Sequence, residues 1–139
     1  MSDDVDLAMV TVTVAPGRQL DVLTLIAAWR AQVARFEADL LAPSGGRPAR
    51  GARDYVAALY FRDWIAQASA VLPTGPRHRL DRAVADLDAR FLALTEPDID
   101  GLVDRATDDP DSTRDWWWHR IPRTGPVRDD FRRHYRAVV

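Results

Sequence analysis

The sequence contains no cysteine, and all nineteen of its basic residues are arginine. Without Cys there is no disulfide framework, thiol nucleophile or Cys-based zinc site. Without Lys there is no Schiff-base amine and no lysine for a phosphate-binding loop. Histidine is scarce at three residues, and His119 and His134 lack the i, i+4 spacing of a helical zinc pair. Gly45-Gly46 has neither the further glycines nor the preceding strand of a dinucleotide loop. The serines, Ser2, Ser44, Ser69 and Ser112, stand in no nucleophile-elbow context. The expected cofactors and metals are therefore none. No apolar run approaches the roughly 18 residues of a spanning helix. The opening Met1-Ser2-Asp3-Asp4-Val5-Asp6 is acidic where a secretory signal would be basic, so a cytoplasmic location without membrane contact is expected.

What is present fits one folded domain over residues 1–139, with 47% hydrophobic and 29% charged residues. The charge is uneven. Residues 1–95 are neutral, residues 96–111 carry a net charge of −6, and residues 112–139 carry +4. An acidic connector followed by a basic tail either pairs with itself or meets partners of two kinds.

Hydrophobic periodicity gives the fold class: all-α, an antiparallel bundle of three long helices with two or three shorter C-terminal helices packed on it. Val22, Ile26, Trp29, Val33, Phe36 and Leu40 recur every three or four residues within 18–42, which marks a helical seam. Ala57, Phe61, Trp64, Ala68 and Val71 repeat that rhythm, as do Leu80, Val84, Leu87, Phe91 and Leu94. The Pro/Gly-rich stretches at 43–48 and 73–76 separate the three helices of an 18–95 core. Before them, Val10-Thr11-Val12-Thr13-Val14 alternates as a strand does. With no second strand evident, residues 1–17 read as a short extended N-terminal arm.

Residues 96–139 form the acidic connector and the Trp/Arg-rich C-terminal helices. Acids at Glu96, Asp98, Asp100 and Asp104 match positions 1, 3, 5 and 9 of a calcium loop, but position 12 is Thr107. Capping of a short helix by Asp98, running through Leu102 and Val103, is the better account. Ser112 and Asp115 form a variant capping box for a helix through the tryptophans. Thr124-Gly125-Pro126 opens a last helix with Val127, Phe131, Tyr135 and Val138 inward, its acids near the start and its arginines near the end.

Trp116-Trp117-Trp118 is the most distinctive feature. Successive helical residues point about 100° apart, so three indoles sweep about 200° and cannot all enter one seam. At least one is expected outside. Flanked by arginines, it would anchor a protein interface, because Trp and Arg dominate binding hot spots. The expected partner-binding residues are Arg114, Trp116, Trp117, Trp118 and Arg120, with Arg123 as a rim charge.

Two further patterns join Arg to His: Arg114-Asp115-Trp116-Trp117-Trp118-His119 and Arg128-Asp129-Asp130-Phe131-Arg132-Arg133-His134. Arg, a polar residue and then His within six positions resembles the signature of HEPN-type ribonucleases. The resemblance implies metal-independent cleavage across a dimer interface, with Arg114, His119, Arg128 and His134 as catalytic candidates. The imidazole would move the ribose 2′-OH proton and the guanidinium would stabilise phosphorane charge.

The leading expectation is a non-enzymatic protein-binding module of the adaptor, inhibitor or immunity-protein kind. The HEPN-like ribonuclease is the alternative. The expected partner is another protein, with a homodimer and a nucleic acid as further options. The −6 connector argues against nucleic acid, since it would repel phosphates.

Overall fold

Val10 to Val14 does not lie alone. In the computed structural model, which describes residues 6–41, 51–107 and 113–135, β1 (Thr11–Ala15) pairs antiparallel with β2 (Arg18–Asp21). The hairpin corrects the extended arm, and it also moves the start of the first helix from Arg18 to Val22. Two local features produce it. Pro16-Gly17 makes the reversal, with Gly17 at φ +74°, a conformation that side chains disfavour. Asp21 then caps the helix, its carboxylate accepting from the Thr24 N–H at 3.0 Å and from the Thr24 hydroxyl at 2.6 Å.

The described residues are mostly helical, with two small antiparallel strand pairs. Helix α1 (Val22–Leu40) packs against both α2 (Ala52–Val71) and α3 (Thr74–Leu94). The predicted seams of α1 and α3 are the faces that the fold buries, from Val22 to Phe36 and from Leu80 to Leu94, with Leu40 half-buried at its end. Helix α2 has a different phase from the one predicted. It buries Ala52, Tyr55, Val56, Ala58, Leu59, Ile65 and Ala68. Of the predicted stripe only Ala68 is buried; Ala57 and Val71 are exposed, and Phe61 and Trp64 are half-buried. Apolar residues on nearly every side of α2 made its inner face ambiguous, and Tyr55 and Leu59 decided it by packing into the core.

After α3 the chain forms β3 (Thr95–Pro97), then α4 (Leu102–Arg105). Gly101 stands at the N-cap of α4, so the helix starts later than an Asp98 cap implies, but Asp98 still accepts the N–H groups of Leu102 at 3.1 Å and Val103 at 2.8 Å. The tryptophans form a single 3-10 turn, Trp116–His119, rather than a two-turn helix. It leads straight into β4 (Arg120–Pro122), which pairs with β3 through Thr95↔Pro122, Glu96↔Ile121 and Pro97↔Arg120. Pro122 at that point stops any helix, and the pairing takes up the backbone instead. Helix α5 (Pro126–Tyr135) buries Val127 and Phe131. The core therefore runs from Val12 of the hairpin through all three long helices to Phe131. The loop expected at 43–48, the acidic break at 108–111, the Ser112 cap, and Arg136 and Val138 lie outside the described residues.

Candidate functional site

Helix α2 turns Asp63 toward the C-terminal segment, and that carboxylate organises the tryptophans. The indole N–H groups of Trp117 and Trp118 both donate to Asp63 Oδ1 at 2.8 Å. Trp117 and Trp118 are 2% and 1% exposed. Both are anchored in this chain's own interior, which corrects the expectation that they face a partner. The cause is chemical as well as steric, because a buried indole N–H needs an acceptor and Asp63 serves two. Burial raises the Asp63 carboxyl above the usual aspartate range, against the lowering effect of the two indole donors and of Arg114 nearby.

The arginines around the motif are committed as well. The Arg114 guanidinium lies over the Trp118 ring, 4.7 Å from its centroid. Arg62 covers Trp117 at 4.3 Å and makes a two-pronged contact with Asp88, Nε to Oδ1 at 3.0 Å and Nη2 to Oδ2 at 2.9 Å. Trp29 on α1 donates to the same Asp88 Oδ1 at 3.2 Å. One linked set of side chains thus ties α1, α2, α3 and the tryptophan turn together. Arg120 bonds the Thr95 hydroxyl and carbonyl, both at 2.8 Å, and its own carbonyl accepts the Tyr55 hydroxyl at 2.8 Å. Arg120 thus holds β4 to the end of α3. Arg62, Asp63 and Asp88 were missed by sequence reasoning. Asp63 sits four and eight residues beyond Leu59 and Tyr55, so the signal was a carboxylate on a buried stripe, visible only with the right phase for α2.

Trp116 differs from its neighbours. Its ring rests on Trp117, with centroids 5.5 Å apart, and on Phe91 at 6.1 Å, yet it remains 38% exposed. Two other exposed apolar side chains belong to segments bonded to the same place. Leu92, 43% exposed, lends its carbonyl to Arg120. Ile99, 92% exposed, follows Asp98, whose N–H donates to the His119 carbonyl at 2.9 Å. Arg123 is exposed nearby, its backbone N–H donating to the Leu94 carbonyl at 3.1 Å.

The Arg and His candidates have local partners. His119 Nε2 is 3.0 Å from the Arg114 carbonyl, and His134 Nδ1 is 3.0 Å from Asp130 Oδ1. Arg128 donates to the Pro122 carbonyl at 2.9 Å and pairs with Glu96. No protein-family model, curated protein or solved structure matches this chain.

Proposed function

We propose that this chain is a cytoplasmic, non-enzymatic binding module for another protein, of the adaptor, inhibitor or immunity-protein kind. The module is an antiparallel bundle of three long helices with shorter C-terminal elements docked on it. The observation that carries this reading is the exposure of Trp116, an indole 38% open to solvent beside two buried ones, with Leu92 and Ile99 also exposed on segments bonded to Arg120 and His119. An exposed indole is among the residue types that most often anchor a protein interface. Trp116 is already propped against Phe91 and Trp117, so docking would cost it little side-chain freedom. An aromatic centre with an arginine such as exposed Arg123 as a rim charge would match the anatomy of a hot spot. The ribonuclease reading has no comparable support, since Arg128 already meets Glu96 and the Pro122 carbonyl.

Site-specific photocrosslinking in native extract tests the proposal. A photoreactive residue at position 116 or 99 is expected to give the same discrete adduct, whereas one at Arg30, exposed on α1, gives none. Trp116→Ala should abolish the adduct formed from position 99 while costing under about 2 kcal/mol of stability. If positions 116 and 99 capture nothing beyond position 30, the surface is not a recognition site.

A further inference from the structure

Ala57, Phe61 and Trp64 of the predicted inner stripe of α2 line a pocket that does not include Trp116. Arg53, Ala57, Tyr60, Phe61 and Trp64 follow one another along one side of the helix and form its floor. From Arg53 to Trp64 that floor runs about 16 Å, at 1.5 Å per residue. Three other elements supply the walls: Val14 of β1, Arg105 at the end of α4, and Tyr135 of α5. The pocket is an open cleft with a volume of about 820 Å³, within the range of small-molecule sites. Its aromatic side chains are braced from behind. Phe61 and Trp64 meet edge to face at 5.4 Å, and Tyr60 meets Trp118 edge to face at 5.0 Å.

The polar character of the pocket has one sign. Arg53 and Arg105 are its charged lining residues, and no carboxylate joins them among the described residues. Arg62, Arg120, Arg128 and Arg114 are committed elsewhere, to Asp88, to Thr95, to Glu96 and to an indole face. Arg53 and Arg105 stand exposed beside an apolar cavity, and among the described residues no ion pair forms on either. Guanidinium groups at the mouth of an aromatic cavity complement a ligand with a flat or branched apolar body and an acidic group. A neutral hydrocarbon would leave the charges unused, and a cation would be repelled.

We infer that the pocket bounded by β1, α2, α4 and α5 binds a small organic anion, its apolar body against Tyr60, Phe61 and Trp64 and its acid group on Arg53 and Arg105. The site is separate from the surface around Trp116. Binding here does not depend on the protein-partner reading.

Three probes of one shape test the inference by titration calorimetry on the full chain: 2-naphthoate, neutral 2-naphthamide and cationic 2-naphthylmethylamine. Naphthoate is expected to bind about tenfold or more tightly than the amide, and the amine not at all. Arg53→Gln and Arg105→Gln should each weaken naphthoate about tenfold and leave the amide unchanged. Both positions are exposed, so the variants should retain wild-type circular dichroism. Ala57→Trp, which places an indole on the pocket floor, should exclude all three probes. Equal affinity for anion, amide and amine, or naphthoate binding that survives both arginine substitutions or Ala57→Trp, would overturn the assignment. So would the absence of any binding at millimolar concentration.

Discussion

At the scale of single residues, Asp63 carries more of this structure than its place in the sequence advertises. One carboxylate oxygen satisfies two indole donors that are otherwise shut away from water. Asp63→Ala would strand both N–H groups, and a loss of about 2–4 kcal/mol is expected in urea unfolding. Asp63→Asn keeps an acceptor oxygen and should cost less. The two forms also differ in pH dependence. Burial raises the folded-state pKa of Asp63, so the native chain holds that proton more firmly than the unfolded chain does. Stability from this group is therefore full below the unfolded pKa and declines as pH rises toward the raised folded value. Measured against wild type, Asp63→Asn should gain ground as pH goes from the acid side of that window to neutrality. A difference that stays flat, or that widens with pH, would show that the carboxylate is not desolvated. The wild-type comparison is needed because Glu37 has the opposite sign, its pKa lowered by the hydrogen bond from Arg90.

At the scale of elements, legibility in the sequence followed how one-sided each segment is. Helices α1 and α3 carry arginine and aspartate opposite their seams, so periodicity fixed their inner faces, while the start of α1 was set by the hairpin and the Asp21 cap. Helix α2 was legible as a helix but not in orientation. Phe61 and Trp64 looked like core residues because they are large, yet Tyr55 and Leu59 take that place. The hairpin was half legible. Val10 to Val14 read as a strand, but Arg18-Gln19-Leu20-Asp21 is too short and too polar to reveal that it pairs with them. The tryptophan site was legible as a geometric conflict: three neighbouring indoles with too few inward directions. Which ring would stay outside depended on Asp63, a tertiary partner 54 and 55 residues from the two indoles it holds, which no local pattern exposes. The phase of α2 is directly testable. Leu59→Ala, at a fully buried site, should cost about 2–5 kcal/mol. Ala57→Glu and Val71→Lys should stay within about 0.5 kcal/mol of wild type, because both positions face outward. A large loss at Ala57 or Val71, with a small one at Leu59, would restore the phase read from periodicity.

At the scale of the whole molecule, the acidic connector and basic tail meet each other within the fold. Glu96 pairs with Arg128, β3 pairs with β4, and Arg120 grips the end of α3. The C-terminal segment is also part of the core. Phe131 meets Tyr55 edge to face at 5.5 Å, and Trp117, Trp118, Ile121 and Val127 are buried with the residues of the long helices. A chain ending after Thr107 would leave Tyr55 and Asp63 without these partners. Helices α1 to α3 and the C-terminal elements should therefore unfold together. The five tryptophans report on both parts, Trp29 and Trp64 in α1 and α2 and three in the C-terminal turn, whereas far-ultraviolet dichroism weights the long helices. Thermal melts followed by near-ultraviolet and far-ultraviolet dichroism are expected to coincide in one transition. The chain truncated after residue 107 should lose the sharp transition and keep only broad, weakly cooperative helicity. Should the truncated chain melt as sharply as the full one, the three long helices form a unit of their own. The tryptophan turn would then be an appendage rather than the clamp that joins α1, α2 and α3.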